Sequence, residues 1–212
     1  IEPSVVVDPF IEHDALAGYR AVQILPEPVR FEGDTSIVTV NIVEGPVTRL
    51  TEVRYDGVDR SLETAVADAG RMPGGEIYRD ADVDIARRQI EALYRRLGYN
   101  DVVVTPKVVI DDTTHAASVA FAVEPGREQR LAGVVVQGTV RSRPASVVRA
   151  LGLKPGAPVD YAQWAQARKR VFDTNVFRQV EVTPEEVPGA AGGPEQVNAR
   201  VTVTEIDPIN AL

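Results

Sequence analysis

The feature that most constrains this chain is a repeat. Gly18-Tyr19 recurs as Gly98-Tyr99 and Glu44 recurs as Glu124, both at a spacing of 80, with 25 positions between the Tyr and the Glu in each copy. A further copy follows. The Gly that closes Tyr55-Asp56-Gly57 matches Gly138 at a spacing of 81, Pro73-Gly74 matches Pro155-Gly156 at 82, Val104-Thr105-Pro106 matches Val182-Thr183-Pro184 at 78, and Glu124 matches Glu205 at 81. A period near 80 is too long for a solenoid unit and suits a small domain with its own core. The 212 residues therefore divide into a leftover segment of about 45 residues and two units of about 80.

The middle copy, Pro46–Gly126, is the clearest. Thr48–Tyr55 alternates apolar Leu50 and Val53 with polar neighbours and ends at Asp56-Gly57, a strand followed by a turn. Ser61 is placed to cap a short helix with Leu62, Ala65, Val66 and Ala69 on one face and Gly70 as its stop. After a loop over Met72–Gly75, Asp80–Leu97 carries Val83, Ala86, Ile90, Leu93, Tyr94 and Leu97 at three- and four-residue steps, the period of an amphipathic helix. Asp101–Ile110 and Ala116–Glu124 are β-rich runs around Asp111-Asp112-Thr113-Thr114, a hairpin signal. The unit reads β-α-α-β-β.

The last copy keeps that order, with a strand at Arg130–Gln137, helices at Pro144–Leu151 and Tyr161–Thr174, and a hairpin of Gln179–Val187 and Gln196–Glu205. The glycine-rich joint Pro188–Pro194 is expected to be a mobile loop, since a phosphate cradle needs a strand–loop–helix setting. The first copy is incomplete. Ile11–Ala17 reads as the stub of a second helix, followed by Val22–Phe31 and Ser36–Val43 as a hairpin whose first strand is demoted to an irregular or edge strand by Pro26 and Pro28. The chain is expected to begin inside a domain, as a fragment of a longer protein. Ile1–Phe10 lacks the basic start of a signal peptide.

Composition narrows the function classes. With 31 acidic against 23 basic residues the formal net charge is −8, which argues against nucleic-acid binding. Without Cys there is neither a disulfide framework nor a zinc–thiolate site. His13 and His115 stand without a paired nucleophile or ligand cluster and read as solvated surface residues. Asp80, Asp82 and Asp84 favour the positive start of the long helix over a cation site, and Asp111-Asp112 is a turn pair. Arg87-Arg88, Arg95-Arg96 and Arg168-Lys169-Arg170 read as solvated helix faces, with contact to anionic lipid or an acidic accessory protein as the lesser alternative. No catalytic residue, cofactor site or metal site emerges.

A β-α-α-β-β unit near 80 residues, with a long second helix ending in Gly-Tyr and a last strand closing in Glu-x-Gly, resembles a POTRA (polypeptide-transport-associated) domain. The matching residues are Leu97-Gly98-Tyr99 with Val123–Gly126, and Gly18-Tyr19 with Val43–Pro46. Asp173–Val180 resembles the Leu-x-x-Thr-Gly-x-Phe-x-x-Val form of the last such domain before a barrel, with Asn175-Val176 where Gly is usual. Tandem copies are similar to the BamA/TamA-type outer-membrane assembly proteins. The resemblance implies an α+β fold of tandem POTRA domains, each a three-stranded mixed sheet covered by two helices. The expected bounds are an incomplete domain over 1–45, complete domains over 46–126 and 127–207, the latter the last before a β-barrel, and the start of a linker over 208–212.

The resemblance further implies a non-enzymatic scaffold in the periplasm, part of an outer-membrane protein of a Gram-negative-type bacterium. Its partners would be unfolded outer-membrane protein clients, accessory assembly subunits or periplasmic chaperones, and its own C-terminal β-barrel, through which alone it would meet the membrane. No nucleic acid and no cofactor is expected. The strand after the second helix would lie at a sheet edge, where unpaired N–H and C=O groups accept an extended peptide by β-augmentation. The candidate residues are Val102, Val103, Val104, Thr105, Val108, Val109 and Ile110 in the middle copy and Val180, Val182 and Thr183 in the last. Packing on the helices or against a neighbouring domain is an equally weighted reading of those valines. Proline at Val103 or Val109 is expected to weaken partner binding more than stability. The alternatives are a two-partner secretion transporter or division-protein POTRA region, or, from another class, an enzyme scaffold with an unrecognised site.

Overall fold

The structure is a computed structural model and describes residues 19, 23–33, 35–72, 76–188 and 193–206. The expected helix stub Ile11–Ala17, Gly18, His13, the Pro73-Gly74-Gly75 part of the first loop, positions 189–192 of the glycine-rich joint and the 208–212 linker lie outside the described residues. Two compact units divide the chain: Ile1–Ile90 with Val104–Val123, and Glu91–Val103 with Glu124–Leu212.

In the first unit, strands β1 (Gln23–Pro26) and β4 (Val40–Val43) pair antiparallel, as do β2 (Arg30–Glu32) and β3 (Thr35–Ile37). The single hairpin expected over Val22–Val43 is thus two short ladders, broken at 27–29 and 38–39. Pro26 is still paired with Val40 and Glu27 N–H donates to Thr39 O, but Pro28 supplies no N–H beyond them, and the register moves by one between Gln23↔Val43 and Arg30↔Ile37. Along the chain there follow β5 (Arg49–Asp56), helix α1 (Glu63–Ala69), helix α2 (Asp80–Arg96), whose residues from Glu91 on are assigned to the second unit, and the hairpin β6 (Val103–Asp111) and β7 (Ala116–Glu124). The sheet order is β5-β7-β6, with β5 and β7 parallel.

Burial follows the sequence periods. Ala117, Val119, Phe121 and Val123, every second residue of β7, are buried, as are Val83, Ala86 and Ile90 along α2. Tyr55 stacks on Phe121 with ring centroids 5.7 Å apart, and its hydroxyl donates to Gly70 O at 2.7 Å, so the residue that stops α1 also receives the strand's aromatic. Ser61 does not cap α1. Leu62 holds the N-cap position without a side-chain bond, while the Ser61 hydroxyl and N–H both donate to the Asp59 carboxylate, which these bonds hold below its ordinary pKa.

The second unit holds β8 (Gln129–Gln137), α3 (Pro144–Leu151), α4 (Tyr161–Phe172), β9 (Phe177–Val187) and β10 (Glu195–Glu205), in sheet order β8-β10-β9 with β8 and β10 parallel. The buried row on its central strand is Val197, Ala199, Val201 and Val203, each 80 positions after its counterpart on β7. Val147 and Leu151 of α3 and Ala167 and Val171 of α4 close over Val180, Val201 and Val203. Trp164 joins Leu131, Val159, Val197 and Ala199. Helix α4 ends two residues earlier than expected, and Asp160, which is 4% exposed, caps its start by accepting from the N–H groups of Ala162 and Gln163.

Two conserved-spacing features of the repeat acquire a cause. Gly57 and Gly138 sit at φ 76° and 86°, and an added Cβ would lie 2.4 Å from Val123 O and 2.1 Å from Val203 O, respectively. Only Gly fits where the turn after the opening strand meets the end of the central strand. Glu205 tightens the same corner in the second unit: its carboxylate, 7% exposed, accepts from the N–H groups of Val140, Arg141 and Ser142 at 2.8–3.1 Å and pairs with the Arg141 guanidinium at 3.3 Å. The Ser142 N–H leads in drawing its pKa from 4.5 down to about 2.

Gly138→Ala is expected to cost at least about 2 kcal/mol in urea unfolding, from left-handed strain plus the clash with Val203 O. The Glu205 carboxylate is depressed, so its stabilisation is fully present above pH 4.5 and lost as pH falls toward 2. Thermal midpoints recorded across that window should fall more steeply in the parent than in Glu205→Gln, which already lacks the charge; parallel curves would remove the clamp's role.

Candidate protein-interaction edges

Each three-stranded sheet has two outer strands, and one of them is partly covered. Along β5, Leu50 N–H donates to Glu76 O and Tyr78 N–H to Thr48 O. Along β8, Leu131 N–H donates to Ala157 O, Gly156 N–H to Leu131 O and Val159 N–H to Gln129 O. The segment that follows the first helix of each unit therefore pairs with the start of the opening strand. The strands on the other side, β6 and β9, are the edges expected from the sequence.

Backbone direction along these edges follows from printed ladder bonds, because alternate residues of a strand turn their N–H and C=O to the same side. On β10, Glu195 N–H donates to Glu128 O toward β8, and Ile206 N–H to Val176 O toward β9. Odd residues of β10 thus face β8 and even ones face β9. Arg200 lies opposite Thr183 and Thr202 opposite Glu181, so Thr183 and Glu181 bond inward. Val180, Val182, Pro184 and Glu186 turn their backbone groups outward.

The first unit gives the same result. Arg49 N–H donates to His115 O, so odd residues of β7 face β5. Those odd residues carry the buried side chains, and across the hairpin they share a face with the inward-facing even residues of β6, from buried Val104 to half-buried Pro106, Val108 and Ile110. Even residues of β6 therefore stand in non-bonded pairs and present their N–H and C=O groups to the open side. Val103 and Val109 bond inward to β7. Proline at Val103 or Val109, expected to weaken binding more than stability, would in this geometry remove a ladder bond and leave the outward N–H row intact.

The side chains sort differently from the backbone. Val103 and Val109 are 53% and 55% exposed, and Thr105 and Thr183 are exposed. Val104 and Val180 are buried core residues, and Val108, Ile110 and Val182 are half-buried. Val102 precedes the strand, is 5% exposed, and belongs to the interior. An extended peptide on these edges meets backbone from the even residues and, on β6, the flanking side chains of Val103, Thr105, Lys107 and Val109. Sequence reading passed over Pro106 and Pro184, although the repeated Val-Thr-Pro carried the signal.

The acidic groups weighed as sites have local partners. Asp84 pairs with Arg87 at 2.6 Å and Arg88 at 2.7 Å, and the Arg87 hydrogen bond leads in holding its pKa low. Asp82 lies 3.7 Å from Arg79, and Asp80 accepts from the Tyr78 hydroxyl. Asp111 accepts from Thr113 and Thr114 in the hairpin turn, which lowers its pKa. A cavity of about 530 Å³ in the second unit is lined by Arg95, Arg96, Asn100, Asp160 and Tyr161 among others, but Asp160 is the α4 cap and Arg95 pairs with Glu91 at 3.2 Å. Among the described residues, no helix is long and apolar enough to cross a membrane, which leaves strands out of account, and no group of three His, Cys, Asp or Glu could hold a metal ion.

A β-α-α-β-β module with a mixed three-stranded sheet, repeated along one chain, is the architecture of tandem POTRA domains. Residues 49–126 match the family model described as POTRA, surface antigen variable number repeat. The fold is similar to the crystal structure of Haemophilus influenzae BamA POTRA3-5, at 18% identity over 97% of this chain and 81% of that one, with a TM-score of 0.53. It is also similar to BamA from Haemophilus ducreyi lacking POTRA domains 1-3, at 19% identity and a TM-score of 0.61, over 74% of this chain and 29% of that longer one. Residues 49–126 thus match the POTRA family, and the chain as a whole shares the fold of tandem POTRA segments.

Val104→Ala should cost about 2 kcal/mol in denaturant unfolding, whereas Val103→Ala one position away should cost less than about 0.5 kcal/mol, because only the first side chain is buried.

Proposed function

We propose that this chain is a non-enzymatic protein-binding scaffold in the periplasmic part of an outer-membrane β-barrel assembly, insertion or translocation protein. It receives client polypeptides or accessory subunits by strand addition at β6 and β9. The observation that carries the reading is the outward row of backbone groups on the uncovered edge of each sheet, Val104, Val108 and Ile110 on β6 and Val180, Val182 and Glu186 on β9. Pairing through backbone tolerates many client sequences, which suits a receptor of unfolded chains. The POTRA match over 49–126 and the likeness in fold to BamA segments support the same reading. We assign an incomplete domain to 1–45, complete domains to 46–126 and 127–207, and the start of a linker to 208–212.

The test separates backbone direction on one strand. A fluorescein-labelled peptide copying the terminal strand of an outer-membrane β-barrel protein is titrated onto the chain and read by fluorescence polarisation. Val108→Pro removes an outward N–H and should weaken binding about tenfold while the protein stays folded. Val109→Pro removes an inward N–H and should lower stability by roughly 1–3 kcal/mol. A folded Val108→Pro protein that binds like the parent would overturn docking at β6.

A further inference from the structure

Both candidate edges carry a proline within the repeated Val-Thr-Pro, Pro106 on β6 and Pro184 on β9. The ladder directions put each proline ring nitrogen on the open side of its strand. An inward-facing proline would cost the sheet a ladder bond; an outward-facing one costs the sheet nothing and removes a donor only from a would-be partner. Along β9 the outward N–H row runs Val180, Val182, gap, Glu186, and along β6 it runs Val104, gap, Val108, Ile110. Within Val104–Ile110 on β6 and Val180–Glu186 on β9, an added strand takes two adjacent donors at most before it meets a proline.

Charge adds to the interruption. Lys107 follows Pro106, and Glu181 and Glu186 flank Pro184, while Glu185 is paired with Arg200, so two copies of the same edge would oppose like charges. Among the described residues, no bridge like those that Ile77 makes to β5 and Pro158 to β8 lies on the outer side of these two edges. A long bare edge is the usual route by which copies of a sheet protein stick together.

We propose that Pro106 and Pro184 are strand-addition gates: each breaks the open edge so that a second copy of this chain cannot pair along it, while a short client segment can. The inference rests on the docking reading for the use of the open stretches, but its test needs no client, so the two can fail separately.

The experiment is sedimentation velocity of the full 212-residue chain over a concentration series, at high salt to screen the edge charges. The double variant Pro106→Ala/Pro184→Ala restores both outward N–H groups without adding a bulky apolar side chain. It is expected to self-associate with a constant at least about tenfold above the parent's, the effect of restored hydrogen bonds across the edge. Adding Val108→Pro and Val182→Pro, which delete neighbouring outward donors, should return it toward the parent. A folded double variant, checked by circular dichroism, that sediments like the parent overturns the proposal. So does association that the added prolines leave unchanged. Should the double variant fail to fold, Pro184→Thr alone, at an exposed position, carries the same comparison and the same outcomes.

Discussion

The parallel pairing of the opening strand with the closing strand of each module is the constraint on which the rest depends. β5 lies beside β7, and β8 beside β10, in the same direction, so the chain must cross over one face of the sheet to return. Two helices make that crossing and bury one face. The row Ala117, Val119, Phe121, Val123 and its counterpart Val197, Ala199, Val201, Val203 are the positions that the crossing covers. The closing strand is thereby central, and the strand before it in the hairpin is left outside.

An outer strand with a buried face is a specific kind of surface. Its inward side chains are held by the core, as Val104 and Val180 are, so the strand is fixed in place without help from a partner. Its backbone is nonetheless half unpaired. Outward backbone groups and core packing therefore fall on the same residues: the even positions of β6, and Val180 and Val182 of β9, turn their side chains to the interior and their N–H and C=O groups to the outside. Substitutions that shorten those side chains disturb the core, and only changes that remove an N–H address the edge alone. Prolines placed there tune the edge without touching the ladder.

Much of this was legible in the sequence because small modules leave little freedom. The period of 80, the alternation over Ala116–Glu124 and the three- and four-residue steps over Asp80–Leu97 each report a local geometry that packing then uses. Helix Pro144–Leu151 and strand Ala116–Glu124 have the bounds that the pattern predicts. Where reading failed, a competing local bond decided. Ser61 has the chemistry of a cap, but Asp59 lies two residues away and takes its hydroxyl. The hairpin over Val22–Val43 has the right apolar alternation, but Pro28 supplies no donor where the register shifts. Asp160 as the cap of α4 and Glu205 as the clamp on the Val140–Ser142 turn depend on where the chain comes to rest.

The sequence by itself determined the repeat, the order of elements within each copy and which positions are apolar, because hydrophobic period and turn residues are local properties. Only the tertiary structure decided which way each backbone group of an edge strand points, since direction is set by register against a neighbour far away in the chain. For the same reason the valines singled out as a docking surface separate into core side chains and exposed ones. Gly57 and Gly138 belong to both levels: the spacing of 81 marks them in the sequence, and the close approach of Val123 O and Val203 O explains why no other residue fits.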